Sequence, residues 1–220
     1  MEIIQKIREQ NRLSCNFRRA LFNDKQIAHL KRYFLESIRT AFYEENGKII
    51  LSQDEVENIK KIFNWLIGKD IDVTLNKGLF LTGDYGTGKS VILKGIIKFI
   101  DRYYSHDYLI NGISNPMLIL SWDMANYFMS GNEIMINKMK TTSILAIDEL
   151  GYEPLEVNYY GSICKPFAEI IMQRYQRRRC ILISTNLTME DIKIIYGGHI
   201  YDRLCQMVYV IEFRGNSKRK

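Results

Sequence analysis

The sequence lacks three features that are typical of other protein classes. Its four cysteines, Cys15, Cys164, Cys180 and Cys205, are far apart and form no Cys-x-x-Cys pair, which disfavours a zinc site or a disulfide framework and favours a reducing compartment. No run of about 18 consecutive apolar residues occurs, and the N-terminus has no apolar stretch of signal-peptide length. Repeats and low-complexity tracts are also missing. We therefore expect a soluble, cytoplasmic protein with no membrane partner.

The composition is that of a folded domain with a basic surplus. Hydrophobic residues make up 46% and charged residues 25% of the 220 positions, which are ordinary values for a globular chain. Lys and Arg total 31 against 25 Asp and Glu, a net charge of +6. This surplus favours polyanionic partners such as nucleic acid.

Two helical patterns precede the main part of the chain. Residues 24–43 carry apolar side chains at helical spacing, which predicts an amphipathic helix that needs a partner surface. Ser52 and Glu55 form a capping box before a second pattern that places Val56 on its apolar face and ends at Gly68. We predict a small helical region over 1–50, a possible partner-binding element, and a core domain over 51–220.

From Gly78 onward, short apolar runs alternate with longer helical patterns. Such alternation predicts a parallel β-sheet with helices on its faces. The runs are LFLT, MLILS, ILAID, ILIST and VYVIEF.

The segment LFLTGDYGTGKS contains a glycine-rich loop. Gly83, Gly88, Lys89 and Ser90 match G-x-x-x-x-G-K-[ST] between a predicted strand and a predicted helix. Main-chain amides of such a loop and the start of the helix bind phosphates, the lysine contacts the β- and γ-phosphates, and the serine hydroxyl binds Mg²⁺. We therefore expect ATP and Mg²⁺ as cofactors. The predicted nucleotide-binding residues are Gly83, Asp84, Tyr85, Gly86, Thr87, Gly88, Lys89, Ser90 and Val91.

Polar side chains follow two further strand patterns. Asp148 and Glu149 come after an apolar run, where Asp148 is predicted to help hold the metal and Glu149 to polarise the attacking water. The alternative is an ordinary exit from a strand. Asn186 follows ILIST and is predicted to form hydrogen bonds with the γ-phosphate and the water. The alternative is a turn residue that caps the next helix, although Thr188 is the better candidate for that cap.

These motifs give the chain a resemblance to a known group. The sequence resembles AAA+ ATPases of the DnaC helicase-loader and IstB transposition-helper group through GDYGTGKS, LAIDELGYEPL, QRYQRRRCILISTNL, YDRL and GNSKR, over roughly residues 76–219. The resemblance implies an α/β P-loop NTPase of AAA+ (ASCE) type, in which the strand and helix patterns give a five-stranded parallel sheet, flanking helices and a small N-terminal helical region. The group normally has a full helical lid after the sheet, but only about 34 residues follow Asn186, so we expect a reduced or absent C-terminal lid. The resemblance also implies nucleotide-dependent homo-oligomers.

The resemblance assigns roles to two arginines. Arg203 stands where the group places an arginine finger, which completes the nucleotide site of a neighbouring subunit. The alternative is a surface arginine paired with Asp202. Arg219 matches the group's last arginine, which is sometimes assigned to nucleotide sensing.

Basic residues form two clusters that suggest contacts with DNA. Arg174 and 177–179 lie at the end of one helical pattern, and Lys138 and Lys140 lie in residues 122–140. Cations at a helix C-terminus are also favoured by the helix dipole alone, so both interpretations stay open. In residues 122–140, Tyr127 and Phe128 are candidates for base stacking, and Lys138 and Lys140 for charge; for this segment, packing in the core is the favoured alternative. The predicted DNA-binding residues are Arg177, Arg178, Arg179, Lys138 and Lys140.

The preferred function is an Mg·ATP-dependent, DNA-associated ATPase that resembles DnaC-type loaders and meets a replicative helicase. The alternative is a transposition helper that meets a transposase. A small-molecule P-loop kinase would make less use of Glu149 beside Asp148. A nucleotide-binding adaptor that does not hydrolyse ATP would tolerate loss of Glu149.

Overall fold

The structure is a computed structural model that describes residues 23–46, 51–69, 77–104 and 116–215. Cys15, Arg219 and most of the surface loop expected after Tyr104 lie outside these ranges.

Five parallel strands form the central sheet, as the sequence predicts, in the spatial order β2-β3-β6-β1-β7. Apolar residues dominate β1, β3 and β6, which lie inside the sheet and are buried on both faces. A separate antiparallel hairpin, β4–β5, was not expected from the sequence. The strands are β1 Gly78–Gly83, β2 Met117–Leu120, β3 Ile144–Leu150, β4 Val157–Tyr159, β5 Ser162–Cys164, β6 Cys180–Thr185 and β7 Val208–Phe213.

Helices cover both faces of the sheet, and each face has its own apolar cluster. Neighbouring residues of one strand alternate between the clusters, as Leu79 and Phe80 do in β1. One face carries α1 Asp24–Asn46, α2 Gln53–Ile67 and α3 Lys89–Tyr104. The other carries α4 Ser121–Met129, α5 Glu133–Thr141, α6 Pro166–Gln176, α7 Met189–Tyr196 and α8 Gly198–Met207.

Helix α1 is the amphipathic helix predicted near the N-terminus, and its partner is α3. The contact is close because α3 has a glycine, Gly95, where a Cβ atom would lie 3.0 Å from the Cα of Ile38. Glu44 and Glu45 of α1 form ion pairs with Lys98 and Lys94 of α3, respectively. The apolar stripe of α1 therefore packs on the helix that follows the glycine-rich loop.

Helix α2 begins with the predicted capping box. The Ser52 main-chain N–H donates to Glu55 Oε2 at 2.8 Å, and the Glu55 N–H donates to Ser52 Oγ at 3.3 Å. Gly68 ends the helix with φ of 68°. Val56, however, is exposed, and the sequence prediction is wrong there: the first turn buries Glu55 instead, since its carboxylate folds back onto Ser52. Further along, Asn58 Nδ2 donates to the Glu212 carbonyl of β7 at 2.7 Å.

Within the described ranges, no helix has both the length and the apolar character to span a bilayer. The three cysteines in these ranges, Cys164, Cys180 and Cys205, form no disulfide bond with one another.

Candidate nucleotide-binding and hydrolysis site

The glycine-rich loop joins the carboxyl end of β1 to the start of α3. Gly83, Gly86 and Gly88 have φ of 124°, 74° and 88°, values that side chains other than glycine rarely adopt. At Gly83 a Cβ would also lie 1.9 Å from the Phe213 carbonyl oxygen. The glycines are thus required by the path of the backbone, which leads directly into the first turn of α3, where amide groups have no helical acceptor.

Lys89 is buried within this loop. Its ammonium donates to the carbonyl oxygens of Gly83 at 2.9 Å and Asp84 at 2.6 Å. The Thr87 hydroxyl donates to the same Asp84 carbonyl at 2.9 Å. The positive charge is therefore held against the main chain of the loop, beside Ser90, the predicted magnesium ligand, which is half-buried at the second position of α3.

The loop is also fixed from the neighbouring strand β7. The Asp84 N–H donates to the Phe213 carbonyl at 3.0 Å, and the Gly215 N–H donates to Asp84 Oδ2 at 3.1 Å. Tyr85 is exposed, whereas Val91 in the first turn of α3 packs against the apolar cluster. Asp84 thus shapes the loop through main-chain contacts rather than lying free.

Asp148 lies at the same edge of the sheet, near the end of β3, and only 2% of it is exposed. Its Oδ1 accepts hydrogen bonds from the Ser184 hydroxyl and, at 3.1 Å, from the Glu149 N–H. Ser184 is on β6, which pairs with both β3 and β1. The carboxyl ends of three adjacent strands therefore bring Asp148 to the same edge as the glycine-rich loop.

Glu149 has different surroundings from its neighbour. Its backbone is left-handed, with φ of 59°, and its side chain is exposed. The pairing of β3 with β6 shifts between Ile147 and Leu150, and the Ser121 hydroxyl donates to the Glu149 carbonyl at 2.6 Å. A left-handed non-glycine residue costs about 1–2 kcal/mol, so this conformation is maintained by its neighbours. As a result, one carboxylate is buried and the next one faces solvent.

Asn186 follows β6 and is half-buried. Thr188, not Asn186, caps α7: its hydroxyl accepts from the Asp191 N–H at 3.1 Å in a complete capping box. Hydrogen bonding to Tyr85, followed by desolvation, raises the pKa of Tyr152; a hydrogen bond with Asn186 lowers this pKa, and the charge of Glu149 raises it further. Tyr152 therefore interacts with each of Tyr85, Asn186 and Glu149.

Arg203 lies apart from this group. It is on α8, which covers the face of the sheet opposite α3. Its guanidinium carbon is 4.4 Å from the centre of the Tyr175 ring, and Nη1 donates to the Tyr175 hydroxyl and to Asp202, both at 3.3 Å. The pairing with Asp202 that the sequence offers as an alternative is thus present, and Tyr175 is an unexpected second partner.

The basic clusters lie at the opposite edge of the sheet from the loop. Arg177–Arg179 immediately precede β6 and include two exposed arginines at 177 and 178, while Lys138 and Lys140 occupy the last turn of α5, before β3. Lys140 forms an ion pair with Glu169 at 2.9 Å. The arrangement collects the predicted DNA-binding residues at the amino ends of β3 and β6.

Arg174 does not belong to this surface, and including it in the basic cluster was wrong. The residue is fully buried. Its guanidinium donates to carbonyl oxygens at the end of α5, including Met139 at 2.7 Å and Thr142 at 3.0 Å, and to the Cys180 carbonyl. It joins the ends of two helices instead of meeting a phosphate. Phe128 is also buried, which confirms that it packs in the core.

Comparison with known proteins finds similarity only at the level of structure. No family model matches the sequence, and neither does any curated protein. The DnaC helicase loader matches with a TM-score of 0.58 and 17% identity, over 83% of this chain and 99% of that one. A primosome component from Streptococcus pyogenes matches with 0.57 and 16%, over 78% and 85%. The fold is the AAA+ fold shared with the DnaC helicase loader.

The initiator DnaA has the same AAA+ fold within a longer chain. The structure of AMPPCP-bound DnaA from Aquifex aeolicus matches with a TM-score of 0.54 and 14% identity, over 75% of this chain and 48% of that one. A DnaA structure with AMPPCP and single-stranded DNA matches with 0.50 and 15%, over 76% and 49%.

Within this AAA+ fold, sequence reasoning missed the residues that orient the acidic pair. Ser184 bonds Asp148, Ser121 bonds the carbonyl of Glu149, and Thr82 donates to the Leu187 carbonyl at 2.6 Å, which ties the turn after β6 to β1. The available signal was the occurrence of Ser and Thr at the ends of apolar runs, as in LFLT, MLILS and ILIST.

Proposed function

We propose that this chain is an Mg·ATP-dependent ATPase that acts on DNA in replication initiation, in the manner of DnaC-type helicase loaders. The observation that carries the proposal is the position of Lys89, buried Asp148 and exposed Glu149 at one edge of three adjacent parallel strands. An ammonium within a glycine-rich loop binds phosphates, and the two carboxylates have separate environments and so are suited to separate tasks.

The donor set fits Mg²⁺. A serine hydroxyl at position 90 and the buried Asp148 carboxylate are oxygen ligands of the kind that Mg²⁺ prefers, alongside phosphate oxygens and water. When bound, Mg²⁺ would neutralise charge on the β- and γ-phosphates. Ser184 fixes Asp148 for this purpose through a hydroxyl-to-carboxylate hydrogen bond.

Three further residues are proposed to bind the phosphates and to orient the attacking water. Lys89 exchanges main-chain carbonyls for β- and γ-phosphate oxygens, and the loop amides bind the same phosphates. Glu149 accepts a hydrogen bond from a water and orients it for in-line attack on the γ-phosphorus; ADP leaves, and the water's proton is lost as inorganic phosphate forms. Asn186, which like Glu149 interacts with Tyr152, bonds the γ-phosphate and that water.

Arg203 acts on a neighbouring subunit in this proposal. Its position on the opposite face from α3 separates it from its own loop, so a second copy must bring an arginine to each nucleotide. This makes hydrolysis dependent on assembly of homo-oligomers. Arg219, which lies outside the described residues, is proposed as a nucleotide sensor on the resemblance alone.

DNA and a replicative helicase are the proposed partners. Structural relatives include a helicase loader and an initiator solved with single-stranded DNA, and exposed Arg177, Arg178 and Lys138 supply positive charge. We propose residues 1–50 as the partner-binding element and 51–220 as the ATPase core, with α1 linking the two through its contact with α3.

The test is an ATPase assay with and without single-stranded and duplex DNA. Calorimetry at millimolar Mg²⁺ should detect ATP binding by the intact protein and by Lys61→Ala, an exposed lysine of α2, but not by Lys89→Ala. Arg203→Ala should bind ATP normally and hydrolyse it slowly at every protein concentration. Undiminished binding by Lys89→Ala would overturn the nucleotide site, and normal turnover by Arg203→Ala would overturn the shared site.

A further inference from the structure

Arg203 is held by a closed ring of side chains on α6 and α8. Nη1 of Arg203 donates to the Tyr175 hydroxyl, which donates to Gln206 Oε1 at 2.8 Å. Gln206 Nε2 donates to Asp202 Oδ2 at 3.2 Å, and the same oxygen accepts from Arg203 Nη1 at 3.3 Å. Every polar group of the ring contacts the next one, so the guanidinium is fixed by three residues and not by a single ion pair.

The Tyr175 ring adds a second constraint. The guanidinium carbon lies 4.4 Å from the ring centre, a distance at which the face of an aromatic ring attracts a cation. Stacking fixes the plane of the guanidinium, and the hydroxyl bond fixes its rotation within that plane. Among the three residues that hold the guanidinium, Tyr175 thus controls both its plane and its rotation within that plane.

The hydrogen bonds to Tyr175 and Asp202 use one side of the Arg203 guanidinium and leave the other side for an acceptor from outside the subunit. Both hydrogen bonds come from Nη1. Among the described residues, none accepts from Nε or Nη2, although Nε is buried, and the side chain as a whole is 26% exposed. A guanidinium binds phosphate oxygens through the N–H groups of its planar fork. Because Nη1 is occupied and Nε is buried, Nη2 is the donor that remains for an external acceptor.

We propose that Tyr175 is a positioning residue for Arg203, holding its guanidinium in the orientation in which it meets the γ-phosphate bound by a neighbouring subunit. This inference rests on the proposed function, because it requires Arg203 to act between subunits. A fixed guanidinium loses little freedom when the neighbour arrives, so the benefit is realised in the rate of hydrolysis. Nucleotide binding, which uses the glycine-rich loop of the other subunit, should not change.

A complementation assay isolates the effect. Acceptor subunits carry Arg203→Ala with an intact loop, and donor subunits carry Lys89→Ala with an intact Arg203. Only a donor arginine entering an acceptor site restores hydrolysis in the mixture, which is assayed with DNA present. Second changes are then placed in the donor: Tyr175→Phe removes both hydroxyl bonds and keeps the aromatic ring, Tyr175→Leu removes the aromatic ring as well, and Tyr160→Phe, at an exposed tyrosine in the turn of the β4–β5 hairpin, is the control.

We expect kcat of the mixture to fall about fivefold with Tyr175→Phe, as for loss of one hydrogen bond of ordinary strength, and roughly tenfold or more with Tyr175→Leu. The KM for ATP should be unchanged, because the acceptor site is intact, and Tyr160→Phe should have no effect. If Tyr175 had only a structural role, its substitution would lower the melting temperature of the donor. The mixture containing well-folded Tyr175→Phe donor would then show no selective loss of kcat.

The outcomes separate the two levels of inference. If Arg203→Ala abolishes turnover but both Tyr175 variants complement fully, the positioning role is wrong and the proposed function stands. Two outcomes would contradict the shared site: normal turnover by Arg203→Ala alone, or no hydrolysis by the mixture of Lys89→Ala donor and Arg203→Ala acceptor before any change at Tyr175. In either case this inference fails with it.

Discussion

At the residue scale, Asp148 and Glu149 are adjacent in sequence and have different roles in the proposed chemistry. The left-handed backbone at Glu149 separates them: it breaks the register of β3 against β6 and leaves Asp148 buried beside Ser184. Conformations of this kind persist where surrounding contacts maintain them, as the Ser121 hydroxyl does here.

Glu149→Gln should uncouple binding from hydrolysis. The amide is nearly isosteric but cannot accept the proton of an attacking water, so we expect ATP affinity to be retained and kcat to fall about 100-fold or more. Single-turnover hydrolysis and nucleotide titration measure the two quantities. Glu156→Gln, an exposed residue that follows the same strand, is the matched control and should behave as the unaltered protein. Unchanged turnover by Glu149→Gln would favour a nucleotide-binding adaptor.

Ser184→Ala should weaken the response to magnesium. The change removes a hydroxyl that donates to Asp148 Oδ1, so the carboxylate loses its fixed orientation while the P-loop stays intact. We expect the Mg²⁺ concentration for half-maximal activity to rise severalfold, with ATP binding in the absence of metal unchanged. Ser162→Ala, on the exposed β5 strand, should leave the magnesium titration unaltered. An identical titration curve for Ser184→Ala would contradict the role of Ser184 in holding Asp148 for the metal.

The glycine-rich loop and the acidic pair could be predicted because the residues of each motif are close in sequence. Ser184 and Ser121 could not, since their value depends on β3 pairing with β6 and on a helix that follows β2, contacts made 36 and 28 residues apart. Arg174 was misjudged for the same reason. Its position at the end of a basic helix suggests a surface residue, whereas the acceptors that bury it are on α5.

At the scale of elements, the contact between α1 and α3 links the N-terminal part of the chain to the nucleotide loop. A Cβ at Gly88 of the loop would lie 3.1 Å from Cζ of Phe42, near the end of α1. Gly95, two turns further along α3, allows the helix backbones to approach at Ile38. A shift of α1 would therefore be transmitted to the loop itself.

Gly95→Ala tests this packing. Alanine stabilises an isolated helix relative to glycine by about 1 kcal/mol, but here its methyl group would lie 2.6 Å from Ile38 Cδ1 and 3.0 Å from Ile38 Cα. We expect the free energy of unfolding to fall by about 1–3 kcal/mol, as in overpacked cores. Urea titration measures it. Gly198→Ala, with no atom within 4 Å of the added Cβ, should be neutral or stabilising, and the same result at Gly95 would contradict the close approach.

The cap of α7 should make stability depend on pH. The Thr188 N–H and hydroxyl both donate to Asp191 Oδ2 at 2.8 Å, and they lower the pKa of that carboxyl. A lowered folded pKa means that the stabilisation is present above the ordinary carboxyl value and is lost as pH falls through the folded pKa. Thr188→Val should therefore destabilise the protein at neutral pH, with a difference that narrows in strong acid.

Urea titrations at several pH values measure how the difference in unfolding free energy between Thr188→Val and the unaltered protein changes with pH. Thr40→Val is the control, because the Thr40 hydroxyl donates to a main-chain carbonyl, that of Glu36, and its effect should not vary with pH. A constant difference for Thr188→Val over the whole range would exclude Asp191 as the cause.

Most helices and strands could be predicted from the periodicity of apolar residues, but the β4–β5 hairpin could not. Its strands have three residues each, too few for an alternation to register. Tyr160 and Gly161 at its turn have φ of 50° and 81°, the geometry of a tight hairpin turn for which Asn-Gly is the usual sequence. Tyrosine at this position gave no indication of the turn.

At the scale of the whole molecule, the nucleotide loop and the basic residues occupy opposite edges of the sheet. The loop follows the last residue of β1, whereas Arg177–Arg179 precede the first residue of β6, which is parallel to β1. If DNA binds at the second edge, as proposed, the first edge stays open for nucleotide and for a neighbouring subunit.

Arg178→Asn should reduce the salt dependence of DNA binding. The exposed residue has φ of 52°, which asparagine tolerates. If Arg178 contacts a duplex phosphate, the slope of log K against log salt should fall by about 0.9, with a similar loss of affinity on unrelated sequences. Fluorescence anisotropy at several salt concentrations measures the slope. Lys61→Gln removes a charge from the far side of the sheet and should leave it unchanged; equal slopes for both variants would place DNA elsewhere.

The separation of the two edges has an electrostatic consequence. Strands β1 and β6 have six residues each, so the edges are about 20 Å apart at roughly 3.3 Å per residue. Screening in physiological salt acts over about 8 Å, and the charge of a nucleotide therefore decays before it reaches the other end of the strands. Two polyanions can reside on one subunit without repelling each other, and any influence of one on the other must travel through displacement of helices or through the contacts between copies.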